Sequence, residues 1–322
     1  MKLMTRAALV AAAFATLGAL GGCQHQPSRL ETLPSHDKPG ARGSEPPATP
    51  APAVDRSGTI EQRMERLEDA YARNAEALDF LNKVYAQQQA QQARQEREEP
   101  AADAMFAVDI AKDIKAGQVD GPASASVTIV KAFDFACPYC QQAAQTMDEL
   151  VKDYQGKVRV VYVNMVIHTP AKPAHLASCA AAKQGKYKEF KAAFWDKGYL
   201  PYAASQGRDS SMLEEANILV IAKGLGLDTV KLKADMTGPE CEARIQRDMQ
   251  EMSKFRVNAT PTFFINGKHI GGALPKAAFQ QIIDDQLRLV EQSGVAAADY
   301  YDKVVLARGE KQFRSKADPK PN

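Results

Sequence analysis

The sequence predicts an α/β domain: strand, helix and strand, then a long helical insertion, then a β-hairpin and a closing helix. A separate N-terminal helix of coiled-coil pattern precedes it. Three observations predict this order. The apolar run Val127-Thr128-Ile129-Val130-Lys131-Ala132-Phe133 leads directly into Cys137-Pro138-Tyr139-Cys140 and an amphipathic stretch. Far downstream, Thr260-Pro261 opens a second apolar run that ends in Asn266-Gly267, a pair suited to a two-residue hairpin turn. Between the two, Tyr187, Phe190, Phe194 and Trp195 recur at helical spacing and read as core.

Residues 1–22 carry Lys2 and Arg6, an apolar run from Ala7 to Leu20, and small residues at the end. This reads as a secretory signal, its run too short for a comfortable membrane span. Its end, Leu20-Gly21-Gly22-Cys23, resembles a bacterial lipobox, which implies cleavage before Cys23 and acylation of that cysteine. An ordinary signal peptide with a chance cysteine is the alternative. Gln24 in place of an aspartate favours an outer-membrane anchor. Residues 23–56 follow as a flexible tether, with seven prolines and few large apolar residues.

The pattern changes at Ser57. Thr59 and Gln62 suit a capping box. Ile60, Met64, Leu67, Tyr71, Asn74, Leu78, Leu81 and Tyr85 then recur at alternating spacings of four and three, a heptad seam. Asn74 in that seam tends to fix register, and Arg63 and Glu68 suit pairing across a parallel assembly. Residues 57–99 are therefore expected to build a homo-oligomer, dimer or trimer. Packing of this helix on its own globular domain is the alternative.

The globular domain is expected over 105–292, with strands at 127–133, 158–163, 262–265 and 268–270. Helices are expected at 138–154, through an insertion of about 174–255, and at 276–292. Residues 293–322 read as a short helix at 296–306 and then a charged, disordered tail around Lys311, Arg314, Lys316, Asp318 and Lys320. The formal charge is +2, and without Lys2 and Arg6 the balance becomes 39 basic against 39 acidic residues. That leaves no electrostatic footprint for nucleic acid.

Cysteines three apart at the start of a helix place their sulfurs within disulfide reach. The first sits at the N-terminus, where the peptide dipole and unpaired N–H groups favour a thiolate. Phe133-Asp134-Phe135-Ala136-Cys137-Pro138-Tyr139-Cys140 together with Thr260-Pro261-Thr262-Phe263 resembles the thioredoxin superfamily. The insertion between them resembles the DsbA-like branch of extracytoplasmic disulfide oxidoreductases.

The resemblance implies a thioredoxin fold and thiol–disulfide exchange, with Cys137 the exposed attacking thiol and Cys140 the buried resolving one. Pro138 and Tyr139 would tune the first sulfur, and Thr260 with a cis Pro261 would shape a substrate groove. No cofactor beyond the redox-active disulfide and no metal is implied. The partners would be unfolded or disulfide-containing secreted proteins and a membrane redox partner, met in the cell envelope on the periplasmic side. The direction stays open between oxidase and oligomeric isomerase or reductase.

Lys131 departs from the family, whose members often carry at that position an acid proposed to relay the buried cysteine's proton. As a cation it would favour thiolate, or it would point outward. Asp134 matches a common family residue, as a relay or as part of a turn. With Cys23 assigned to lipid and Cys137 and Cys140 to exchange, Cys179 and Cys241 remain, either as a structural disulfide or as two buried thiols. His168 and His175 are expected in ordinary surface or packing roles. Two other readings stand beside exchange: a copper-binding or metallochaperone module using the same dithiol with Met165 or His168, and a non-catalytic assembly protein.

Overall fold

The structure, a computed structural model, describes residues 55–320. The signal segment, Cys23 and the tether up to residue 54 lie outside the described residues. The chain divides into two compact units, residues 1–73 and 74–322.

The first helix, α1, covers Ile60–Glu98. Its start is a capping box: Gln62 N donates to Thr59 Oγ1 at 3.3 Å, and Thr59 N donates back to Gln62 Oε1 at 3.1 Å. No residue of α1 is buried. Ile60, Leu67 and Tyr71 of the seam are 72%, 64% and 67% exposed among the described residues.

β-Branched and apolar residues build the centre of the second unit. After the short α2 (Ala111–Lys115) come β1 (Val119–Asp120), β2 (Val127–Phe133), α3 (Pro138–Asp153) and β3 (Val158–Asn164). The strands β4 (Thr262–Ile265) and β5 (Lys268–Gly271) complete a five-stranded sheet of order β1-β3-β2-β4-β5. β2 runs parallel to β3, from Val127↔Val158 to Phe133↔Asn164, and antiparallel to β4. Every residue of β2 and β3 is buried, as a strand with both faces covered must be.

One face of the sheet packs on α3, on the insertion and on α10 (Lys276–Ser293); the other packs on 101–110, the end of the insertion and the C-terminal segment. The turn between β4 and β5 holds Asn266 and Gly267 at positive φ, 45° and 85°. A Cβ on Gly267 would lie 2.6 Å from Met105 Cγ and 2.9 Å from the Phe106 carbonyl, so only glycine fits this approach.

The insertion consists of α4 (Lys172–Lys183), α5 (Tyr187–Phe194), α6 (Leu200–Ala204), α7 (Glu215–Gly224), α8 (Thr229–Thr237) and α9 (Pro239–Lys254). A π turn at Trp195–Tyr199 joins α5 to α6. Asp228 caps α8 by accepting from the N–H groups of Val230 and Lys231. Cys179 of α4 and Cys241 of α9 are joined by a disulfide, with their Cα atoms 5.7 Å apart.

The C-terminal tail differs from the expected disordered end. Glu310 N donates to the Met105 carbonyl, Ala101 N to the Arg314 carbonyl and Lys316 N to the Glu99 carbonyl, at 2.7, 3.0 and 2.8 Å. Phe313 stacks on buried Phe106 with ring centroids 5.9 Å apart. Arg314 pairs with Asp103 at 2.8 Å and with Glu310 at 3.0 Å. Arg314, Lys316 and Lys320 therefore pair with carboxylates of this chain, and Phe313 anchors the segment.

Candidate active site

α3 begins at the sulfur chemistry because Pro138 stands at its first turn, where a missing N–H costs nothing. Cys137 is the residue before the helix, in extended backbone, and Cys140 points into the core beside Ala143, Ala144 and Met147. Both sulfurs are thiols here. Cys140 is 0% exposed and Cys137 only 4%. Cys137 is thus the more accessible of the two, but it is not the exposed residue expected of an attacking thiol; Tyr139, 60% exposed, is the part of the motif that meets solvent.

The Thr260–Pro261 peptide is cis. Its turn sits over the dithiol, and as a thiol Cys137 donates to the Thr260 carbonyl at 3.2 Å. A hydrogen bond from Cys140 lowers the Cys137 pKa most. Burial opposes it, and the Thr260 side chain and the N–H groups of Cys140 and Tyr139 then help bring the value to about 6. Burial pushes the Cys140 thiol far up, and the hydrogen bond it gives to Cys137 raises it further. One environment thus makes two unlike thiols: a ready nucleophile and a reserved one.

A measurable consequence is pH dependence. Alkylation of the reduced protein at Cys137 is expected to rise about fivefold from pH 5 to 6, about tenfold in all, and to level off above about pH 7. Stability follows the same titration. The folded pKa lies below the unfolded value near 9, so the thiolate's contribution is complete above about pH 9 and fades as pH falls through 6. The disulfide form lacks this dependence. A rate that instead titrates near pH 9 contradicts the site's geometry.

Lys131 points inward. It is 1% exposed, and its Nζ donates to the Cys140 carbonyl at 3.1 Å. Burial pulls its pKa down to about 8, while negative charge on Cys140 would raise it and Lys191 lowers it. Asp134 lies on the loop just after β2, its side chain 0% exposed. It accepts from the N–H groups of Ala136, Ile167 and His168 at 2.9, 2.8 and 2.7 Å. Its own N–H faces Cys140 Sγ at 3.5 Å. Burial alone would raise the Asp134 pKa, but His175 and these N–H groups outweigh it and hold it at about 2. A carboxylate so fixed stays ionised, which gives it a turn-building role rather than that of a proton carrier.

The histidines do more than the expected packing. His168 Nδ1 lies 3.0 Å from Asp134 Oδ2. His175 is fully buried, its Nε2 accepts from Phe135 N at 3.3 Å, and its Nδ1 meets Asn164 Oδ1 at 2.9 Å. Asn164 in turn donates to Asp248 at 2.6 Å. Two residues missing from the sequence reading, Asn164 and Asp248, therefore join His175 in supporting the loop that carries Cys137. Phe135 beside them packs on Phe133, Phe194 and Trp195, with ring centroids 4.9, 5.0 and 5.1 Å apart. His-x₆-His spacing alone carries no such signal, because α4 folds His175 back onto the β2 loop.

Cys179 and Cys241 sit in the insertion, apart from the dithiol, and Cys23 lies outside the described residues. Among the described residues no group of three or more His, Cys, Asp or Glu is arranged to hold a metal ion. No described helix is long and apolar enough to cross a membrane.

Comparison with known proteins places this geometry. The family described as Thioredoxin matches residues 113–285, more than half of the chain. The Na(+)/H(+) antiporter NhaA of Herminiimonas arsenicoxydans is 28% identical over 190 residues, 59% of this chain and 29% of that protein. Disulfide bond formation protein D of Bacillus subtilis is 25% identical over 179 residues, 54% of this chain and 79% of that protein. A thioredoxin-like oxidoreductase from Silicibacter pomeroyi is 31% identical in a solved structure, with a TM-score of 0.44, covering 53% of this chain and 91% of that one. The chain spans about a quarter of the length of the antiporters it matches. The chain belongs to the thioredoxin family, and its fold carries a helical insertion.

Proposed function

We propose that this chain is an extracytoplasmic thiol–disulfide oxidoreductase that acts on secreted proteins through Cys137 and Cys140. The observation that carries the reading is the unlike pair of thiols under the cis Thr260–Pro261 turn. From the dithiol state, the Cys137 thiolate attacks a substrate disulfide; a Cys137–substrate bond forms and one substrate sulfur leaves as thiolate. Cys140 then loses its proton and attacks Cys137, which expels the second substrate thiolate. The substrate gains two electrons and the protein keeps the Cys137–Cys140 disulfide. Run in reverse, the same steps oxidise a substrate dithiol.

Lys131 stands where its charge bears on both sulfurs, and in this reading it stabilises the thiolate form. A Lys131→Met variant is expected to favour the Cys137–Cys140 disulfide by roughly tenfold in glutathione buffers, about 30 mV toward a more reducing pair. An unchanged equilibrium would mean that the cation does not act on the sulfurs.

The bare seam of α1 supports presentation in more than one copy, and a second copy is the partner its heptads fit. Shared clefts suit isomerisation, so the isomerase direction follows from assembly. A chain lacking residues 57–99 is expected to run as a monomer in light scattering. It should reduce insulin as before but lose scrambled-ribonuclease refolding by at least about tenfold, modest against avidity effects of about 10²–10⁴. Equal refolding by both forms would remove the isomerase direction. Acylation at Cys23 would tether the assembly to the membrane on the periplasmic side, and a membrane redox partner would reset the dithiol.

The copper reading has less support. Of the further ligands it names, Met165 or His168, the Nδ1 of His168 is engaged with the Asp134 carboxylate at 3.0 Å. The experiment that tests the function is insulin reduction together with scrambled-ribonuclease refolding by the intact chain and by Cys137→Ser. Equal activity of the two in both assays would overturn it.

A further inference from the structure

β5 is the last strand of the sheet, and its outer side has no neighbouring strand. Which of its backbone groups face that side follows from the pairing. Gly272 N donates to the Pro261 carbonyl at 2.9 Å, and the register then runs Thr262↔Gly271, Phe263↔Ile270 and Phe264↔His269. Antiparallel pairs alternate between bonded and non-bonded positions. Phe263↔Ile270 is therefore the bonded pair, and the N–H and C=O groups of His269 and Gly271 are directed to the open edge. Such an edge is a template for another extended chain.

The space beside that edge is shaped. A cavity of about 390 Å³ is lined by Asn258, Ala259 and Thr262 of the cis-proline loop together with His269, Gly271 and Glu98. An open groove of about 660 Å³ continues past Ile270 and Leu274 to Gln95 at the end of α1. Glu98, His269 and Gly271 border both, so the two form one channel. It starts at Asn258, Ala259 and Thr262, the residues flanking the cis Thr260–Pro261 peptide, and ends against the last turns of α1. Thr262 Oγ1 donates to the Ala259 carbonyl at 2.8 Å, which fixes the loop at the channel's mouth.

We propose that an extended flank of the reacting polypeptide adds to β5 as a sixth strand, running from the cis-Pro261 loop past Gly271 and His269 toward α1. This rests on the exchange reading above. Continuity of the channel with the cis-proline loop names the occupant: Cys137 Sγ lies 3.2 Å from the Thr260 carbonyl, so a chain joined to Cys137 through its own cysteine is brought to the loop that borders the channel. Backbone pairing at this edge tolerates many side-chain sequences, which suits unfolded substrates, while Ile270 and Leu274 offer apolar contact to alternate residues.

The test uses the full chain carrying Cys140→Ser, trapped at Cys137 as a mixed disulfide with two probes. One is glutathione. The other is a single-cysteine peptide of about twelve residues with alternating Thr and Val on both sides, long enough to span β5 at about 3.4 Å per residue. Amide exchange at His269 and Gly271 is expected to slow at least tenfold with the peptide and to stay unchanged with glutathione. N-methylation along the peptide should remove the protection at every second position. Gly271→Pro, which deletes an outward N–H and leaves the β4 pairing intact, should keep the glutathione adduct and lose peptide protection at His269.

Adducts with both probes but equal exchange at these amides would overturn the proposal and leave the exchange reading standing. Protection that appears without peptide and grows with protein concentration would also overturn it, assigning the edge to a second copy. Failure to form even the glutathione adduct would overturn the exchange reading, and this proposal with it.

Discussion

A Cys137→Ser variant is expected to lose insulin reduction by about three orders of magnitude or more, because a hydroxyl near neutral pH supplies almost no nucleophile where the thiolate did. Cys140→Ser should behave differently. It keeps the attacking sulfur but cannot resolve what it forms, so covalent adducts with substrate proteins should accumulate and disappear on addition of reductant. The two variants separate the roles that the geometry assigns. The Cys140 hydrogen bond is also the largest contribution holding the Cys137 pKa near 6, so Cys140→Ala, which leaves no donor, should shift the Cys137 alkylation profile upward. Trapping by Cys137→Ser in place of Cys140→Ser would reverse the assignment.

The second large effect concerns stability. Cys179 and Cys241 are both 0% exposed and close a loop with a sequence separation of 62. Loop-closure entropy alone makes such a link worth about 4 kcal/mol. A Cys179→Ala, Cys241→Ala protein is therefore expected to melt about 8–16 °C lower than the parent. α4 carries His175 and α9 carries Asp248, two members of the chain of hydrogen bonds that ends at the Phe135 N–H, next to Asp134. Loosening these helices should broaden the active-site loop before the sheet melts, which amide exchange at Ala136 and His168 would detect. An unchanged melting temperature would show that packing, and not the link, holds the insertion together. Mild reductant should open Cys137–Cys140 and leave the buried link closed.

Much of the site was legible because its chemistry is local in sequence. Cys137 to Cys140 share one helical turn, and Thr260-Pro261 precedes a strand whose apolar pattern and Asn-Gly turn are unmistakable. The strand, helix and strand core follows from the same periodicities. What escaped the reading depends on contacts between distant segments. Lys131 was open to an outward position, but β2 is sandwiched between β3 and β4 with both faces covered, so no position in it can reach solvent. His168 and His175 converge on Asp134 only because the chain turns back after β3. The tail was read as disordered from its charge, while its order comes from Phe313 and from partners some two hundred residues earlier, such as Asp103. The low exposure of Cys137 follows from the Thr260 turn closing over it, another distant contact.

The loop carrying Cys137 is held by Asp134 and the histidines, whereas the groove beside it is made by the Thr260–Pro261 turn and β5. In the proposed reaction, substrate chemistry and substrate binding thus rest on different parts of the fold. Changes in the insertion should act on reactivity, and changes at β5 on the length of polypeptide that is preferred.

The most direct measurement of the central claim is the mass of the intact chain equilibrated in graded glutathione buffers and quenched with a thiol-alkylating reagent. The account predicts one transition in which Cys137 and Cys140 pass together from two alkylated thiols to one disulfide, with Cys179 and Cys241 unlabelled throughout. Cys137 and Cys140 that stay alkylated under oxidising conditions, or that gain separate glutathione adducts without pairing, would contradict it.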